Sequence, residues 1–104
     1  MIAVFCSGHG TNLQALLDAQ RAGRLGGRII LVISDRPQTR ALARAQRAGV
    51  EARYVNPSHF STRAEYERAL ISLLDARQVR LVCLAGFMRI LSPVFVAHYP
   101  NRIL

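Results

Sequence analysis

The sequence contains no lysine and no tryptophan, so all 14 of its cationic side chains are arginine. Without lysine, these residues hold neither a Schiff-base nucleophile nor the lysine of a Walker phosphate loop. Cysteine is scarce too: Cys6 and Cys83 both fall in apolar, strand-like runs and read as buried, reduced thiols rather than a disulfide scaffold. No basic segment precedes the first apolar run, and with no disulfide framework this points to the cytoplasm. No apolar run approaches the length of a membrane span.

Acidic residues are few, six against fourteen arginines, which leaves a net charge of +8. Asp18, Asp35, Glu51, Glu65, Glu67 and Asp75 fall mostly on expected helices or loop surfaces, and no two pair for acid–base work. His9, His59 and His98 lack metal-ligand spacing, so no metal site is expected. The arginines are scattered and not interleaved with aromatics, which argues against nucleic acid. Solvated helix faces and an anionic small ligand account for the charge better. There is no Gly-x-Ser-x-Gly elbow. A cysteine phosphatase loop starting at Cys6 would need arginine where Asn12 stands. A dinucleotide fingerprint would need glycine where Leu13 stands, although Asp35 after the second strand could serve a ribose.

Apolar residues make up 51% of the chain, enough for one folded domain or part of one. Strand and helix signals alternate. Strands are expected at Ile2–Cys6, Arg28–Ser34, Ala52–Val55 and Leu81–Ala85, with helices at Asn12–Ala22, Arg40–Ala48 and Arg63–Arg77. Thr62 and Glu65 are spaced as a capping box, and Tyr66, Leu70, Leu73 and Leu74 share one face. Ser92-Pro93 reads as the start of a short helix reaching about Tyr99, and Arg102-Ile103-Leu104 as the beginning of a fifth strand. This alternation predicts an α/β fold, a doubly wound, mostly parallel, Rossmann-like sheet of order 3-2-1-4, incomplete at its C-terminal end.

In that order strands one and four are neighbours at the switch point, where ligands bind outside the carboxyl ends. Their loops are Ser7-Gly8-His9-Gly10-Thr11-Asn12 and Gly86 to Leu91. In the first, a glycine turn opens a helix whose leading amides have no partner and whose dipole favours an anion. Gly8 and Gly10 suit the turn and a close ligand, and Thr11 and Asn12 add side-chain donors. In the second, Phe87-Met88-Arg89-Ile90-Leu91 is apolar apart from one cation and reads as a wall for a flat organic ligand, or as a core-lining loop. Arg63 in a first helical turn opposes the dipole, a weak sign of an anionic partner.

Three segments together are specific. Ser7 to Gln14, Phe60 to Tyr66, and Leu84-Ala85-Gly86-Phe87-Met88-Arg89-Ile90-Leu91-Ser92-Pro93 resemble the phosphate loop, an intervening segment and the folate-side loop of the phosphoribosylglycinamide formyltransferase family. The resemblance runs from Met1 to Leu104, with His9 where some relatives have asparagine. It implies transfer of a formyl group from 10-formyltetrahydrofolate, as cosubstrate, to the amine of glycinamide ribonucleotide in purine synthesis. By the same resemblance Gly10, Thr11 and Asn12 would hold the substrate phosphate and Gly86 would admit the nucleotide. Arg63, Met88, Arg89, Ile90 and Leu91 would contact the folate. The family's catalytic asparagine and histidine, in an Asn-x-His-Pro motif, and its later aspartate have no counterpart in residues 1–104. The chain is therefore expected to correspond to the N-terminal half of the family's domain and to be inactive alone. A non-catalytic phosphate-binding remnant, or half of another formyl-folate enzyme, are the alternatives.

Overall fold

The computed structural model describes residues 1–89 and 91–104. Four strands, β1 (Ile2–Cys6), β2 (Ile29–Ser34), β3 (Glu51–Tyr54) and β4 (Leu81–Leu84), form one sheet in the order β3-β2-β1-β4. Every pairing is parallel, with Val4 opposite both Val32 and Cys83. The connecting helices are α1 (Thr11–Arg21), α2 (Arg40–Arg47), α3 (Arg63–Ala76) and α4 (Pro93–His98), and a 3-10 turn spans Pro57–His59. Boundaries lie within a residue or two of those expected from the sequence.

The period-2 alternation of β1 sends its side chains to opposite faces, and both faces are covered. Ile2, Val4 and Cys6 pack with Leu13 and Leu17 of α1 and Ala41 and Ala45 of α2. Ala3 and Phe5 pack with Tyr66, Leu70 and Leu74 of α3 and Phe95 of α4. Phe5 is fully buried and sits at 5.3 Å from the Phe87 ring and 6.0 Å from the Phe95 ring, measured between centroids. The sheet is thus doubly wound. Beyond β4, Ile103 bridges Val82 in parallel, where a fifth strand was expected.

Several expectations change. Asp35 and Glu67 are buried, not surface carboxylates, because each has partners contributed by distant segments. Cys83 is half-buried rather than enclosed, since β4 is less covered than β1. Leu73 is only partly buried on the α3 face. The Thr62 hydroxyl accepts the Glu65 N–H as a cap should, but the Glu65 carboxylate accepts from Ser61 N–H rather than from Thr62. Among the described residues, no helix is long and apolar enough to cross a membrane.

Candidate functional site

Because β1 and β4 are adjacent, the loops that leave their carboxyl ends emerge side by side. The ladder continues past β4 through Ala85 N–H to Phe5 C=O at 2.8 Å. The two loops are then tied directly: the Met88 N–H donates to the buried Ser7 hydroxyl at 2.9 Å. Segments far apart in sequence therefore share one crevice, as the strand order implied.

The α1 side of the crevice is an uncapped helix entrance. Gly10 occupies the N-cap position with φ +81° and has no side chain to offer, whereas Thr39, Thr62 and Ser92 cap α2, α3 and α4 through their hydroxyls. The first turn of α1 holds no acid, and Thr11 and Asn12 are exposed. Such amides, with the positive end of the helix dipole, suit an anion. The identity of Gly10 has a second cause that sequence reasoning missed: a Cβ there would lie 2.7 Å from the Ala41 Cα, so glycine lets α1 and α2 meet. Arg44 of α2 braces this loop from behind, donating to the His9 carbonyl at 3.0 Å and to the Gln14 side chain at 3.2 Å. Gly86, at φ +75°, is required by its backbone conformation, and the side where a Cβ would stand is open.

The other side of the crevice is a cleft of about 450 Å³. Arg63, Met88, Arg89 and Leu91 line it together, with Phe60 and Tyr66. Ile90 lies outside the described residues. Met88 is 74% exposed, an unusual outlay of apolar surface at a cleft mouth. Gly10, Thr11, Asn12 and Gly86 do not line this cleft, so the expected residues fall into two neighbouring regions joined through Ser7 and Met88.

Electrostatics concentrate around Asp35. Its carboxylate accepts from Arg89 Nε at 3.0 Å, and its side chain is 4% exposed against 49% for Arg89. Burial, with a contribution from Asp35, pushes the Tyr66 phenol up to about 12. The same two causes push the Cys6 thiol up to about 12, which makes it a poor nucleophile. Among the described residues, no group of side chains could hold a metal ion.

Ser7, Asp35, Tyr66 and Glu67 are the site-side residues that were not singled out for these positions. For Glu67 a signal was present: it follows Tyr66 on α3 and precedes Leu70 by three, which places an acid on the apolar face. For Ser7 and Asp35 the partner residues are 81 and 54 positions away, beyond local pattern.

Comparison with known proteins agrees with this architecture. Phosphoribosylglycinamide formyltransferase of Escherichia coli is 43% identical over 99% of this chain and 49% of its own length. The human trifunctional purine biosynthetic protein adenosine-3 is 40% identical over 99% of this chain and 10% of its own. The crystal structure of glycinamide ribonucleotide transformylase 1 from Symbiobacterium toebii superposes with a TM-score of 0.94 at 48% identity, covering 98% of this chain and 48% of that one. The chain thus spans about half the length of the bacterial relatives it matches. Residues 1–104 match the family model described as formyl transferase, and with the parallel sheet and the crevice at its switch point the chain belongs to the formyl transferase family.

Proposed function

We propose that this chain is the ligand-binding half of a phosphoribosylglycinamide formyltransferase, an enzyme that moves a formyl group from 10-formyltetrahydrofolate to the amine of glycinamide ribonucleotide. The carrying observation is the Met88–Ser7 hydrogen bond, which sets an uncapped helix entrance beside a cleft of mixed apolar and polar lining that carries two arginines. That pairing suits a two-substrate reaction in which one partner is a phosphate and the other a flat organic acid.

The roles divide by chemistry. The amides that follow Gly10, with the side chains of Thr11 and Asn12, receive the substrate phosphate. Gly86 leaves the space beside it free for the nucleotide. Phe60, Met88 and Leu91 offer apolar contact to the folate ring system, and Arg63 and Arg89 offer cations to its carboxylates. Holding the two substrates in adjacent regions converts formyl transfer into a reaction between oriented partners. The Asn-x-His-Pro motif implied for the chemical step is absent from residues 1–104, so these residues alone are expected to bind without transferring formyl.

Calorimetry with each ligand on the purified chain tests the reading. Asn12→Ala is expected to weaken glycinamide ribonucleotide binding about tenfold and leave folate binding unchanged. Arg89→Ala is expected to do the reverse. Equal weakening of both ligands by either substitution overturns the division, and formyl transfer by the mass-verified 104-residue chain overturns the expectation of inactivity.

A further inference from the structure

Ser7 and Asp35 are both buried at strand ends, and each makes one hydrogen bond to the same short loop. Ser7, at the end of β1, accepts from the Met88 backbone. Asp35, after β2, accepts from the Arg89 side chain. We propose that Ser7 and Asp35 are positioning residues for the folate side of the site, the first fixing the peptide plane at Met88 and the second the plane of the Arg89 guanidinium. The inference rests on the folate reading given above.

The geometry carries it in three steps. First, guanidinium is planar, so a bond at Nε to a fixed carboxylate sets the direction of the remaining four N–H groups. Arg89 lines the cleft, and among the described residues its only hydrogen bond to protein is through Nε, which leaves its outer edge for a ligand. Second, Asp35 itself is held. The Ser34 hydroxyl donates to the Arg36 carbonyl at 2.7 Å and accepts the Arg36 N–H at 3.1 Å, bracing the turn on both sides of Asp35.

Third, the arrangement is a poor stabilising device. Burying a carboxylate is costly unless its oxygens are well paired, and Asp35 Oδ1 has no partner among the described residues. The Tyr66 hydroxyl beside the cleft is likewise buried and unpartnered. A half-satisfied carboxylate beneath an exposed arginine is better explained by orientation of that arginine than by support of the fold.

The test uses the full chain with 10-formyltetrahydrofolate and glycinamide ribonucleotide as separate probes. Asp35→Ala is expected to raise the folate Kd about tenfold with the nucleotide Kd within about twofold of the unsubstituted chain. Asp35→Asn keeps an acceptor for Nε and is expected to recover most of the loss, whereas Asp35→Leu, which fills the space without an acceptor, is not. The Asp35→Ala, Arg89→Ala double variant is expected to bind folate no worse than Arg89→Ala alone. Ser7→Ala, which removes a different partner, is expected to weaken folate binding independently of Asp35. If Asp35→Ala does not fold, Asp35→Asn and Ser7→Ala carry the comparison. Folate binding by the unsubstituted chain that is unchanged in Ser7→Ala and Asp35→Ala, or full additivity in the double variant, overturns the inference alone. Absence of folate binding by the unsubstituted chain overturns it together with the folate reading.

Discussion

Glu67 and Ser92 form a two-point bond across 25 residues: one carboxylate oxygen accepts the Ser92 N–H at 2.8 Å and the other accepts the Ser92 hydroxyl. The same hydroxyl accepts from Phe95 N–H, so a buried acid on α3 secures the cap of α4. Glu67→Ala is expected to cost about 1–2 kcal/mol, because it leaves two partly buried donors of Ser92 without their partner. Urea unfolding measures this directly. A loss of less than about 0.5 kcal/mol would show that water replaces the carboxylate at no cost.

The Cys6 thiol lies fully buried in the central strand, and its proton is held more tightly than in an ordinary thiol. Cys83 is half-buried, and burial raises its pKa as well. A thiol-specific reagent at pH 8 is expected to spare Cys6 in the folded chain and to modify it in denaturant. Of the two, Cys83 should react first. Mass spectrometry of peptides after timed labelling distinguishes them, and early modification of Cys6 would contradict its enclosure.

Gly10→Ala should destabilise the chain by about 2–4 kcal/mol, combining a left-handed backbone with overpacking. The new methyl would meet the Ala41 Cα at 2.7 Å and its Cβ at 2.9 Å. Ala41→Gly removes only the second contact, so the double variant should regain a minor part of the loss. Full rescue in thermal unfolding would mean that the Cβ of Ala41 was the whole obstacle.

Glu51 ties β3 to the end of α3. Hydrogen bonds from Arg77 and then Arg53 hold its carboxyl at about 2, below the ordinary 4.5. Between these values the unfolded chain binds more protons than the folded one, so acid favours unfolding. The pair's contribution is present above pH 4.5 and is lost as pH falls toward 2. Solvent screening keeps it at about 1 kcal/mol or less. Arg77→Ala should flatten the pH dependence of stability in this window, its cost being fully present above pH 4.5 and fading as pH falls toward 2. An unaltered slope would exclude Glu51 as the group concerned.

The sheet order was legible because strand and helix signals alternate along the chain: apolar β1, β2 and β4 and the short, mostly exposed β3 are separated by helices of suitable period. The α3 face was legible for the same reason, with Tyr66, Leu70 and Leu74 buried as spaced. The fate of Asp35 and Glu67 was not, since whether a carboxylate is buried depends on which distant donor reaches it. Gly10 shows a related limit. Its left-handed turn could be read from the Gly-x-Gly spacing, but its closeness to Ala41 depends on how two helices pack on the sheet. For the site, the family resemblance set Arg63, Met88, Arg89 and Leu91 against one ligand and these four line one cleft, while the braces beneath them, Ser7 and Asp35, lay outside any local motif.

The two sides of the sheet are chemically unequal. On the β3 side, Glu51 sits between Arg53 and Arg77, so a strand arriving there would meet a closed ionic cluster. On the β4 side, the Arg102 and Leu104 carbonyls accept from the Val82 and Leu84 N–H groups, and the Leu104 N–H donates to the Val82 carbonyl. Lateral growth of the sheet is therefore directional: charge guards one margin, and the main chain itself extends the other.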